Sequence, residues 1–265
     1  MRILALIVCL PAILAAQDPR EIVRRGVETD SKNVELARSY TYLQRLELRI
    51  LDGSGKVKNT QTQTWDVTFL EGSLYQRLVA RNDKPLSPKE EKKEEDKLSK
   101  MLEQRRKETP EQRQHRIADS ERHHDPMKEL PDAFDFRLVG EEALASGAAY
   151  VIDATPKPGY KPKLHSAAYF PKVKGRLWID KTDYHWAKVE METLDTISFG
   201  GFLIRLGKGG HLVLEQAHVN QEVWLPKSVT VRATARLALI KGFHGELIIT
   251  FSDYKKFQVD SRVVQ

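Results

Sequence analysis

The sequence predicts a mainly β protein of the α+β class: one large antiparallel sheet, led by a helix and interrupted by a charged helical insertion. Three observations predict it. Apolar and polar residues alternate through "YTYLQRLELRI" and again through "VTVRATARLALI", the period of strands with one face buried and the other wet. Turn-forming pieces, "DGSG", "GKGG" and "KGFHG", fall between such runs. One stretch, 84–129, loses the alternation and fills with charges of both signs.

The chain opens on "MRILALIVCLPAILAA", where Arg2 precedes an apolar run and Ala15-Ala16 offer a small-residue cleavage point. That pattern predicts a secretory signal peptide over 1–16, too short and wrongly flanked for a membrane span. Cleavage there would remove Cys9, the only cysteine, so the exported chain 17–265 is expected to fold as one disulfide-free domain on the strength of its core. The expected location is the bacterial periplasm, with secretion as the alternative. A formal charge of +6 over 265 residues is too modest and too dispersed to point to nucleic acid.

"DPREIVRRGVE" carries helix-start chemistry: Asp18 as N-cap, Pro19 at the first helical position and Glu21 in capping-box spacing. Ile22, Val23, Gly26 and Val27 form one apolar stripe. From Tyr40 the period becomes two. Tyr42, Leu46, Leu48 and Ile50 share a face, "DGSG" turns the chain, and Trp65, Val67 and Phe69 continue on the next strand. A third strand is expected from about 73 to 80.

Within 84–129, Ser87-Pro88 predict one helix start and Pro110 a second. Leu98, Met101, Leu102 and Ile117 give only a thin apolar stripe. The insertion therefore reads either as a solvated helical segment laid along the domain edge or as a movable cover or partner-binding arm. Strands resume at "FDFRLVGEE" and "AAYVIDATP" and continue almost without helix from Val173 to the end.

The segment "GRLWIDKTDYHWAKVEM" reads as a hairpin. A three-residue loop at 181–183 would pair Leu177 with Ala187 and Gly175 with Val189, and set Trp178 opposite Trp186 on the charged side. Later strands put Val229, Val231, Ala233, Ala235, Leu237 and Leu239 on one face, with Leu247, Ile249 and Phe251 following. A sheet with so broad an aliphatic face either curls and fills itself or leaves a cavity. Ala233 and Ala235 suit a hollow and a closely packed helix equally.

Catalytic signatures are sparse. His115, His123, His124 and Asp125 are the one metal-like cluster, but adjacent histidines do not share a helix face. There is no GxSxG elbow, "GKGG" lacks the ending of a phosphate loop, and Asp180 with Asp183 fits turn formation. No cofactor is implied.

Taken together, the leader, the first helix running into "YTYLQRLELRI", and the phrases "GRLWIDKTDYHWAKVEM", "EVWLPKSVTVRATARL" and "ITFSDYKKF" resemble the LolA/LolB-like superfamily of periplasmic lipoprotein carriers and outer-membrane lipoprotein-sorting proteins. The resemblance implies a strongly curved, incomplete barrel covered by helices, enclosing an apolar cavity for acyl chains. By position, Leu177, Ile179, Val189, Met191, Val231, Leu237, Leu239, Leu247, Ile249 and Phe251 would line it. The function implied is a non-catalytic carrier or sensor of lipid or lipoprotein acyl chains. The alternative is an interaction module whose insertion meets an envelope protein or a membrane surface. The insertion is longer and more charged than such carriers require.

Overall fold

The computed structural model describes residues 17–199, 204–237 and 243–257, the side chains of 120–125, 198–199, 204–205, 234–237 and 243 excepted. The expected signal peptide and Leu239 lie outside the described residues, as do the side chains of Leu237, His123, His124 and Asp125.

Helix α1 (Pro19–Ala37) leads into β1 (Tyr40–Leu51), β2 (Val57–Leu70), β3 (Ser73–Arg81) and the short β4 (Lys84–Pro85). The insertion follows as α2 (Pro88–Arg106), α3 (Pro110–Glu121), a 3-10 stretch (Arg122–Glu129) and α4 (Leu130–Ala133). Next come β5 (Phe134–Leu144) and β6 (Gly147–Pro156), then single 3-10 turns at His165–Ala167 and Phe170–Lys172. The rest is strand: β7 (Val173–Asp180), β8 (Trp186–Thr193), β9 (Ile197–Phe199), β10 (Ile204–Leu206), β11 (His211–Val219), β12 (Val223–Leu237) and β13 (Phe243–Lys256).

Among the described residues, eleven strands join in one antiparallel path, β4-β3-β2-β1-β13-β12-β11-β8-β7-β6-β5, with β10 pairing beside β12 and β9 beside β10. The ends do not meet, so the sheet is an open half-barrel. Helix α1 lies inside its curve. The helix touches β5 at one end, and Arg38 just past its other end lies 5.7 Å from the Phe69 ring on β2. Laid flat, those two strands would stand about 38 Å apart, whereas nineteen helical residues span about 28 Å. The sheet bends around the helix.

Helix α1 starts as expected, with Asp18 accepting from the Arg20 N–H at 2.9 Å. Glu21 does not close a capping box but binds Arg24 and Arg25 instead. The reciprocal box occurs at α2, between Ser87 and Glu90. The stripe Ile22, Val23 and Val27 enters the main core with Phe134, Ile152, Phe170, Ile179 and Trp186. Gly26 makes that seat possible. A Cβ there would stand 3.2 Å from the Tyr184 carbonyl oxygen and 3.3 Å from the Trp186 ring.

The hairpin departs from its predicted register. Its loop is longer, closed by bonds between Asp180 and both Tyr184 and His185, with Tyr184 at φ 64°. A bulge at Ala187 then shifts the strands, so Leu177 faces Val189, Trp178 faces Lys188 and Ile179 faces Trp186. The tryptophans lie on opposite faces. Trp186 enters the core, while Trp178 packs with Ala149 and Val151, donates to Glu142 at 2.7 Å and carries the Lys188 ammonium 4.3 Å above its ring.

The insertion is bolted to the β2–β3 turn. Arg105 donates to the Leu70 carbonyl at 2.5 Å, while Arg116 donates to Ser73 Oγ and the Glu71 carbonyl, both at 2.9 Å. Arg113 pairs with Glu71 at 3.1 Å. Gly72, at φ +85°, leaves room for Ile117, which would meet a Cβ at 2.9 Å. The insertion is thus seated along the domain edge, over the β2–β3 turn.

Candidate functional site

Strand register aligns side chains into rows that cross the sheet, because directly opposed residues share a face. One row runs Leu177–Val189–Leu214–Val229–Ile249–Leu46 across β7, β8, β11, β12, β13 and β1. The next runs Gly175–Met191–Leu212–Val231–Leu247–Leu48. Both lie on the face that holds α1. One residue further along each strand, the outer face reads Lys174–Glu192–His211–Arg232–Glu246–Arg49, where Glu246 accepts from Arg232 at 2.6 Å and Arg49 at 3.0 Å. Oil inside and ion pairs outside follow from strict two-residue alternation.

The main core fills only the β5–β8 part of the inner face. There Ile179 is fully buried and Leu177 is 6% exposed, sealed by α1, α4 and the turns at 165–172. From Val189 to Leu46 the rows are half-buried; Val189 and Met191 pack against the main core, whereas Leu214, Val229, Ile249 and Leu46 belong to none of the buried clusters among the described residues. Two apolar recesses open at the sides. The smaller, about 120 Å³, is lined by Met127, Tyr169, Leu177, Val189 and Met191. The larger, about 410 Å³, lies between the second half of α1 and the strands, lined by Val34, Ala37, Tyr42, Phe69, Leu74 and Leu214 among others.

Of the cavity residues expected from the sequence, Leu177, Val189 and Met191 line the small recess, while Val231, Leu247 and Ile249 stand on the open rows. Phe251 packs edge-on to Tyr42 at 5.7 Å. Ile179 is sealed in the core and lines neither recess. The larger recess draws on residues not expected to line a cavity, although Tyr42 and Phe69 were placed on apolar strand faces and Leu214 is likewise an apolar member of an alternating strand. Val34 and Leu74 reach the site only through the tertiary path of α1 and β3.

The rim above the larger recess is polar and built. Asn33 on α1, buried, donates to the Trp224 carbonyl at 2.7 Å and accepts from the Trp224 N–H at 2.8 Å. The Trp224 ring stacks with His185 at 5.7 Å and with His218 at 5.1 Å, and its indole N–H donates to Asp183 at 2.8 Å. Burial holds the His185 imidazole below its ordinary value, against the opposing pull of Asp183. For Asp183, burial pushes the carboxyl up, but the His185 N–H and the Trp224 indole more than offset it. Glu129 behaves alike: burial is outweighed by bonds from Tyr160 and the N–H groups of Lys163 and Leu164, so its carboxyl sits below the usual range.

Among the described residues no cluster of three or more His, Cys, Asp or Glu could hold a metal, and His115 pairs with Asp119 at 3.1 Å. Among them, too, no helix is long and apolar enough to cross a membrane.

No protein-family model matches this sequence, and no curated protein does either. Among solved structures, the chain is similar to one described as an outer membrane lipoprotein-sorting protein domain from Vibrio parahaemolyticus, at 12% identity, covering 88% of this chain and 92% of that one, with TM-score 0.37. It is also similar to a LolA superfamily protein from Nitrosomonas europaea, at 11% identity over 94% and 98%, TM-score 0.36. A third is the MucA/MucB complex of Pseudomonas aeruginosa, at 12% identity over 88% and 93%, TM-score 0.26.

Proposed function

We propose that this protein is a non-catalytic carrier or sensor, exported to the periplasm, that holds an apolar ligand such as lipid or lipoprotein acyl chains on the inner face of its half-barrel. One observation carries the reading: two aliphatic rows run half-buried from Val189 and Met191 to Leu46 and Leu48, flanked by apolar recesses of about 120 and 410 Å³. Covering such a surface with hydrocarbon contributes about 25 cal/mol per Å² removed from water, which suffices for affinity without reactive groups. Organic extraction of the purified exported protein, followed by mass spectrometry, should recover lipid in stoichiometric amount. Protein that carries no lipid and takes up no added fatty acid overturns the reading.

A further inference from the structure

The inner-face rows do not end in oil. Past Leu46 the same row continues to Gln63 on β2 and Arg81 on β3, and the neighbouring row from Gln44 reaches Trp65 and Leu78. At about 4.8 Å per strand, Arg81 lies some 10 Å from Leu46. Helix α2 is seated just there, and between helix and strands is a pocket of about 320 Å³. The half-buried Trp65 lines it together with Tyr75, Leu78 and Arg81. Its walls carry Gln63 and Gln76 from the sheet side, and Glu90, Lys93, Glu94 and Lys97 from α2. Glu94 is buried and paired with Lys97, while Glu90 stands 3.7 Å from Arg81.

From this continuity we infer that the insertion builds a headgroup pocket, and that the ligand is an amphiphile with a polyhydroxylated, sugar-like head joined to an apolar tail. The inference rests on the carrier reading for its tail and on α2 for its head. Three cations, Arg81, Lys93 and Lys97, stand against two carboxylates, Glu90 and Glu94, and the pairs Glu94–Lys97 and Glu90–Arg81 cancel most of that charge, so donors and acceptors lie side by side in the wall. Neutral hydroxyls both donate and accept, so they match amides, carboxylates and ammonium groups together. The flat indole face of Trp65 suits the C–H face of a sugar ring.

Calorimetric titration of the intact exported protein with three probes of equal alkyl length, an alkyl maltoside, an alkyl phosphocholine and a free fatty acid, each below its micelle concentration, tests this. The maltoside should bind at least about tenfold more tightly than the other two, and Trp65→Ala should erase that margin while leaving fatty-acid binding unchanged. Gln76→Ala, at an exposed position, repeats the test should the tryptophan variant misfold. Equal binding of the three, a preference for phosphocholine, or equal loss for all probes in the variants overturns the headgroup pocket and leaves the carrier intact. Failure of every probe to bind the unaltered protein overturns the carrier reading, and the headgroup pocket with it.

Discussion

Asn33 bonds the backbone of Trp224 at both of its polar groups, so a helix side chain takes the place of a neighbouring strand. The amide thereby fastens α1 across the mouth of the larger recess. Asn33→Ala would leave a buried N–H and a buried C=O without partners, at a cost of about 2 kcal/mol. Urea unfolding at neutral pH measures it. A loss below about 0.5 kcal/mol would mean that water or a shifted strand replaces the clamp.

Adjacent residues on β11 separate the two faces. Leu214 lines the larger recess, whereas Val213 pairs with Glu190 and Thr230 on the charged side. Leu214→Glu should weaken fatty-acid binding at least about tenfold, because a carboxylate would enter the apolar row. Val213→Glu should change it little. If both variants bind alike in a fluorescent fatty-acid displacement assay, the ligand does not use the inner face.

The extent of what the sequence discloses differs between face and register. Alternation in "YTYLQRLELRI" and "VTVRATARL" fixes which residues point inward, and the structure keeps that assignment in both rows. The hairpin shows the limit. Its register depends on Tyr184 at positive φ and on the bulge at Ala187, neither of which a non-glycine sequence announces. The displaced register sends Trp178 and Trp186 to opposite faces. The larger recess was likewise hidden, since Val34, Phe69 and Leu74 are brought together by curvature and not by any local pattern.

His185 predicts a pH dependence of stability. Burial lowers its folded pKa while Asp183 opposes, and Asp30 and His218 also act on it from α1 and β11. The unfolded chain, with an ordinary histidine near 6.5, then binds the proton more readily than the folded one. Its contribution is complete above about pH 6.5 and declines as pH falls from there. His185→Phe keeps a ring on Trp224 and removes the titration. Between pH 7 and pH 5 the variant's stability should fall less steeply, by up to about 1.4 kcal/mol per pH unit. At lower pH, Glu129 and Asp183 add a second decline as their depressed carboxyls take up protons. Parallel curves for the two proteins would sink the assignment to His185.

The seat of the insertion turns on Arg116, which joins the β2–β3 turn to Glu108 through bonds to Ser73, the Glu71 carbonyl and the Glu108 carboxylate. Few apolar contacts support α2 and α3, so their attachment is polar and local opening should cost far less than global unfolding. Arg116→Ala removes one charge-assisted network worth about 1.5 kcal/mol and should raise the open population of the insertion about tenfold. Limited proteolysis should then cut within 88–121 correspondingly faster, with the sheet's unfolding midpoint little changed. Should cleavage stay at its original rate, the arginine contacts do not hold the insertion. Should the midpoint fall along with it, the insertion and the half-barrel form a single cooperative unit.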